Sequence, residues 1–188
     1  MYDNRLWVFE NIINLDLQEK IKDTLLDNDF PWYFIKDITD ANRENSKQLR
    51  PGFQHLFWKN FQQTSKNCHL VKPILDNACD KIGFDYSRVM MGRAFLQVPL
   101  NLPEGETRHD TAHIDSKKRH LVVLYSAIDS DGDTVVFNEK TLPEDKRMTV
   151  QKKITPKQGN AIVFDGSYWH TAEQPKYNNR LMINFNLI

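Results

Sequence analysis

The chain has few of the residues that staple or interrupt small proteins: 2 Cys, 7 Gly and 8 Pro in 188 residues. Two cysteines, Cys68 and Cys79, cannot build a disulfide framework or a zinc knuckle, so a pair of reduced thiols is expected. So little glycine excludes a collagen-like repeat. Net charge is absent as well, because 25 Lys and Arg balance 25 Asp and Glu. Without a basic excess there is no electrostatic footprint for a phosphate backbone or anionic lipid, and neither nucleic acid nor membrane is an expected partner. The longest aliphatic runs, such as Leu121–Tyr125, fall far short of the roughly 20 residues that cross a bilayer. Met1–Arg5 shows no basic stretch leading into an apolar one, so no secretory signal is expected, and the expected location is the cytoplasm. What the chain does have is 40% hydrophobic residues and aromatics along its whole length (11 Phe, 6 Tyr, 4 Trp). That suffices for one substantial core, and the expectation is a single domain spanning 1–188.

The hydrophobic pattern changes character along the chain. Residues 5–9 read as a short strand. Asn14 or Asp16 can cap a helix whose apolar face is Leu17, Ile21 and Leu25, ending near Asn28. Residues 31–35 read as extended, and 37–52 as a long polar loop with the features of a lid or binding loop. A second helix is expected over 70–82, with Pro73 in its first turn and Gly83 just past its end. From Arg88 onward the period is mostly two. Candidate strands are 88–98, 110–115, 119–128, 134–138, 149–154, 160–165, 168–173 and 180–187, a spacing that suggests a sandwich or barrel. Residues 1–87 are thus expected to form mixed helical support and 88–188 a β-barrel core. In the last strand Leu181, Ile183, Phe185 and Leu187 alternate with Arg180, Met182, Asn184 and Asn186. Taken alone, that alternation suggests a polar face turned to solvent.

The chemistry-bearing residues are few. In His113-Ile114-Asp115 the first and third residues share one face of a strand, which is two-thirds of a facial triad of two His and one carboxylate. So short a motif means little by itself. His170 lies on a later strand, in Ser167-Tyr168-Trp169-His170-Thr171-Ala172, and Arg180 follows ten residues on. Together, His113-x-Asp115, His170 and Arg180 resemble the iron(II)- and 2-oxoglutarate-dependent dioxygenases, in particular the prolyl-4-hydroxylase-like branch. The supporting order is also present: the apolar strand 121–125, the acidic turn Asp129-Ser130-Asp131-Gly132-Asp133-Thr134, and Gly159 ahead of the apolar strand 161–164. The resemblance covers about residues 88–188. Departures are Asp131-Gly132 where the family has Gly-Gly, Asp133 where it has Glu, and a longer segment from Pro99 to Ala112. No tyrosine stands on the strand before His113; Gln97 or Phe95 takes its place.

The resemblance implies a mostly β fold with flanking helices, a double-stranded β-helix or jelly-roll barrel. It implies Fe(II) held by His113, Asp115 and His170, with 2-oxoglutarate and O2 as cosubstrates and ascorbate as a candidate auxiliary reductant. Arg180 would take the far carboxylate of 2-oxoglutarate, and Thr134 and Gln97 would be further cosubstrate contacts. Guanidinium suits that task because it is planar, always charged and binds carboxylate as a fork. The implied reaction is hydroxylation of a peptidyl prolyl, amino-acid or small-molecule substrate with release of succinate and CO2. Asp115 argues against halogenation, since related halogenases lack the metal carboxylate. No acidic residue neighbours Arg180 on its own strand, which suits a ligand as its partner.

Three other readings compete. His109 and His113 have the i, i+4 spacing of a zinc-protease helix, but that segment lies between a loop and a β-run, so His109 is expected to be a loop residue. Nucleic-acid demethylases of the same superfamily place a further arginine after the cosubstrate one, and Arg180 is the last here. A jelly-roll binding or structural module without metal would leave His113, Asp115 and His170 apart. For the substrate, Trp32, Tyr33, Arg43 and Arg50 are candidate contacts; for the two aromatics, a place in the core is the default expectation. The oligomeric state is not legible from the sequence.

Overall fold

A computed structural model describes residues 6–38 and 50–188. In chain order its elements are β1 (Trp7–Phe9), α1 (Leu15–Leu26), β2 (Tyr33–Ile35), β3 (Gly52–Lys59), β4 (Gln62–Gln63), α2 (Cys68–Ile82) and β5 (Val89–Gln97). These are followed by β6 (Leu121–Ser126), β7 (Thr134–Phe137), β8 (Val150–Ile154), β9 (Ala161–Asp165), β10 (His170–Ala172) and β11 (Arg180–Leu187). A large antiparallel sheet runs β1-β9-β6-β11-β5-β3-β2, with β4 folded back on β3, and a small one runs β10-β7-β8. The mostly β, jelly-roll architecture expected from the sequence is what the chain forms.

Two apolar layers hold this together. Asn14 caps α1, its Oδ1 accepting from the Leu17 N–H at 2.9 Å. Ile21 and Leu25, one turn apart, are fully buried. Each such side chain contributes roughly 1.5–3 kcal/mol by leaving water. They join Val71, Ile74, Leu75 and Ala78 of α2 against one face of the large sheet, where Val123, Leu181, Ile183 and Phe185 point. Helix α2 starts two residues earlier than expected, so Pro73 lies inside it, and Gly83 ends it at φ 64°, a left-handed conformation that favours glycine. Both cysteines are free and buried. The opposite face of the large sheet carries Val122, Leu124, Ile162, Phe164 and Met182, which meet Val136 of the small sheet. That second, thinner layer leaves room between the sheets for a cavity.

Three expectations change. Residues 110–115 form no strand; the segment touches the small sheet through single bridges, His109 to Glu173 and His113 to His170. No helix forms there either, which removes the zinc-protease reading. The polar face of β11 is not turned to solvent, since all eight of its residues are buried. Strand β3, for which the sequence suggested nothing, pairs with both β2 and β5. Of the loop expected over 37–52, residues 39–49, Arg43 among them, lie outside the described residues. Trp32 packs against the core, its Nε1 donating to the Leu25 carbonyl at 2.9 Å, whereas Tyr33 is exposed rather than buried.

His55 on β3 lies between Phe30 and Phe57, with Nδ1 3.0 Å from the Pro31 carbonyl and Nε2 2.8 Å from Ser65 Oγ. Burial lowers its pKa, and the Pro31 carbonyl only partly opposes this. The unfolded chain, near pKa 6.5, therefore takes up the proton first as pH falls. The stability His55 contributes is complete above about pH 6.5 and is lost as pH drops through its lower folded value. Chemical denaturation of the metal-free protein should show stability declining from pH 7 to pH 5, and His55→Gln should make that decline shallower. Identical slopes would contradict this account.

Candidate active site

The cavity between the sheets is walled by β5 and β11, and their register decides what lines it. Arg180 pairs with Gln97, Met182 with Phe95, and Asn184 with Arg93. Side chains alternate along a strand, so these pairs share the cavity face while Leu181, Ile183 and Ala94 face the helices. Arg93, Phe95, Gln97, Thr134, Arg180 and Asn184 all line a narrow cleft of about 60 Å³, together with His113, Asp115 and His170.

At one end of the cleft three ligand atoms converge. The His113 Nε2 lies 3.7 Å and the His170 Nε2 3.9 Å from Asp115 Oδ1. All three atoms fall within 4.8 Å of one another. The single bridge between His113 and His170 brings the two imidazoles together, with ring centroids 4.7 Å apart. Each Nδ1 faces a carbonyl oxygen, that of Thr111 at 3.1 Å and that of Tyr168 at 3.2 Å. A carbonyl only accepts, so each Nδ1 carries the hydrogen and each Nε2 presents a lone pair. Asp115 Oδ2 is held by Asn184 Nδ2 at 2.9 Å and, with the Asn186 amide in the orientation its neighbours require, by Asn186 Nδ2 at 3.0 Å. Its Oδ1 is buried and has no hydrogen-bond partner among the described residues.

That orphaned oxygen is the test of fit for a metal. Burial would raise the Asp115 pKa, yet His113, His170 and Arg93 outweigh it and hold the group well below the usual carboxylate range. Burial, and then the neighbouring His113, lower His170 to about 4, so it is neutral at neutral pH. An ionised carboxylate oxygen aimed at two imidazole lone pairs is costly without a cation between them. Two imidazoles and one carboxylate, with a cleft on the remaining side, suit a ferrous ion.

At the other end Arg180 is fully framed. Its Nε donates to the Gly132 carbonyl at 2.9 Å, Nη1 to Gln97 Oε1 at 3.0 Å and Nη2 to Thr134 Oγ1 at 2.8 Å. A Cβ on Gly132 would come within 2.6 Å of the Glu173 carbonyl, so glycine permits this close approach. Guanidinium has five N–H donors, and one on each Nη is left for a carboxylate. Burial lowers Arg180 to about 10 while Asp110 and Asp133 oppose the shift, so it stays charged at neutral pH. Neither carboxylate is on Arg180's own strand, which carries no acidic residue; both reach it from elsewhere in the chain. Asp110 comes from the segment 99–112, which has no periodicity to reveal it. It is buried, accepts from Gln97 Nε2 at 3.1 Å and Gln174 Nε2 at 2.9 Å, and pairs with Arg50 Nε at 3.4 Å. Burial raises its pKa, against the pull of Gln174, Arg180, Gln97 and Arg50. The amide of Gln97 is thus shared between Arg180 and Asp110. Sequence reasoning brought together His113, Asp115, His170, Arg180, Thr134 and Gln97, and it missed Arg93, Asp110 and the supporting role of Asn184. For Arg93 a signal existed: a lone charge on the otherwise apolar strand β5, four residues before Gln97.

No protein-family model and no curated protein matches the sequence. Solved structures do match the fold. A 2OG-Fe(II) oxygenase family oxidoreductase from Burkholderia pseudomallei superposes with a TM-score of 0.68 at 12% identity, over 97% of this chain and 84% of that one. The fold is that of the 2OG-Fe(II) oxygenases. A prolyl hydroxylase from Trichoplax adhaerens, solved with a hypoxia-inducible-factor peptide, superposes with a TM-score of 0.66 at 14% identity over 98% and 84% of the two chains. The α-ketoglutarate-dependent epimerase SnoN of nogalamycin biosynthesis gives 0.67 at 12% identity over 97% and 78%. One oxygenase fold therefore accommodates both hydroxylation and epimerisation. No helix among the described residues is long and apolar enough to cross a membrane.

Asp115→Ala should abolish tight ferrous-ion binding in anaerobic calorimetry. Asn184→Ala, which removes one of the two donors to Oδ2, should weaken it by about 10- to 100-fold. Unchanged affinity in both variants would remove the metal from this site.

Proposed function

We propose that the protein is a 2-oxoglutarate-dependent hydroxylase. The observation that carries this reading is the buried Asp115 Oδ1, without a hydrogen-bond partner among the described residues, facing the Nε2 atoms of His113 and His170. A metal-free jelly-roll module would leave those three apart. When bound there, a ferrous ion supplies the chemistry that couples O2 to decarboxylation of 2-oxoglutarate, giving succinate, CO2 and an oxidised substrate.

The chain's own residues do the rest. His113, Asp115 and His170 hold the metal from one side. Asn184 and Asn186 fix the carboxylate so that Oδ1 stays aimed. Arg180 takes the far carboxylate of 2-oxoglutarate with its remaining donors, and the Thr134 hydroxyl lies beside it. Gln97, braced by Asp110, keeps the guanidinium from swinging. Val122, Leu124 and Phe164 line the cleft with apolar surface, which excludes water and strengthens each charged contact. The carboxylate in the triad favours hydroxylation over halogenation. Candidate substrates are a peptidyl prolyl residue, an amino acid or another small molecule. The cytoplasm is the proposed location.

With ferrous ion, ascorbate and 2-oxoglutarate, the protein should form succinate slowly alone and faster with its substrate. Arg180→Ala should raise the 2-oxoglutarate requirement by roughly 10- to 100-fold, as expected for losing a charged hydrogen-bonded pair worth about 1.5–3 kcal/mol. A steady-state titration with an unchanged KM would rule out that role.

A further inference from the structure

Two arginines project into the cleft from neighbouring strands, and they are used very differently. Arg180 donates from all three of its nitrogens to fixed protein oxygens. Arg93 donates no side-chain hydrogen bond among the described residues. Among those residues its Nε is buried without a hydrogen-bond partner, and its only ion-pair contact is Nη2 at 3.6 Å from Asp115 Oδ1. One guanidinium face lies on the Phe95 ring, with Cζ 4.3 Å from the centroid. The stacked ring holds the group flat and supplies no hydrogen-bond acceptor of its own. The side chain is about a quarter exposed, toward the cleft that it lines.

Charge in the cleft points the same way. Arg50 faces Asp110, and Arg180 has Asp110 and Asp133 nearby. Among the described residues Arg93 has Asp115 alone, the carboxylate that the triad turns toward a cation. With that carboxylate engaged, Arg93 is a guanidinium with no other counter-charge among the described residues and with a buried, unmet Nε–H, a costly state. Position separates it from the cosubstrate contact. Arg93 pairs with Asn184 and Arg180 with Gln97, four residues apart along each strand, or about 13 Å at the strand rise. Arg180 marks one end of the cleft, and Arg93 marks the metal end.

We infer that Arg93 is a substrate-binding residue that recognises a free carboxylate on the molecule to be oxidised. The inference rests on the function proposed above and deepens it. The substrate then carries a terminal carboxylate next to the carbon that reacts, either on a small acid or at a peptide C-terminus. A residue internal to a peptide has no such group and leaves Arg93 unanswered. Planar guanidinium stacked on an aromatic ring suits a carboxylate held by two N–H donors, and lysine would not reproduce that fork.

The test is calorimetric, on the ferrous protein saturated with 2-oxoglutarate in the absence of O2. Free L-amino acids, short hydroxy acids and tripeptides are each titrated beside the matching carboxamide. At least one acid should bind about tenfold or more tightly than its amide. The class in which it falls, single acid or tripeptide, distinguishes the two sources. Arg93→Gln should bring that acid-to-amide ratio to near one, and Arg93→Lys should restore part of it. The ratio is read within each variant, so a general loss of stability or metal does not imitate the effect. If no acid outbinds its amide, or if Arg93→Gln keeps the ratio while weakening 2-oxoglutarate itself, the inference is overturned. A wild-type protein that binds no 2-oxoglutarate at all would instead defeat the underlying function.

Discussion

One oxygen atom governs the organisation of the cleft. Asp115 Oδ1 is buried, ionised and unpartnered among the described residues, and it faces two imidazole lone pairs. A polar network in a low-dielectric interior is stabilising only when every member is satisfied. Here the groups that hold the three ligands are satisfied, and the buried Arg93 Nε beside them is the exception. The carbonyls of Thr111 and Tyr168 set the histidine tautomers, and Asn184 and Asn186 occupy the other carboxylate oxygen. The neighbours fix the direction of the missing interaction, so a cation meets donors already aimed.

The same constraint explains the two-layer core. The helix-side layer is thick and mostly apolar, and it backs the large sheet. The layer between the sheets is thin, and much of its volume is given over to polar side chains from β5 and β11. Placing the site on paired strands rather than on loops fixes Arg93, Gln97, Arg180 and Asn184 through backbone hydrogen bonds. Of the three metal ligands, His113 and Asp115 come from irregular chain, and the bridge to His170 anchors them.

Much of this was legible in the sequence where chemistry and periodicity coincide. The apolar spacing of Ile21 and Leu25, the glycine after α2 and the alternation in β11 each reflect a local rule that packing did not override. The four residues His113, Asp115, His170 and Arg180 were visible because their order and spacing are distinctive. What escaped was set by long-range geometry. Strand β3 mixes apolar and polar residues because its neighbours bury both faces in part, so it carries no clean period. Asp110 lies in a segment with no pattern and acquires its role through Gln97, Gln174 and Arg50, which come from three different parts of the chain. The polar face of β11 resembled a wet surface because alternation alone cannot tell water from an internal cleft.

Strand β5 is an interior strand, bonded to β11 on one side and β3 on the other. A slip of one residue would turn Arg93 and Gln97 into the helix-side layer and bring Ala94 and Leu96 into the cleft. Neither arrangement could be relaxed locally, because both neighbours would have to shift as well. Changes in chain length within β5 are therefore confined to its ends, and diversification of what this cleft accepts must proceed by exchanging side chains at fixed positions, with Arg93 as the natural variable.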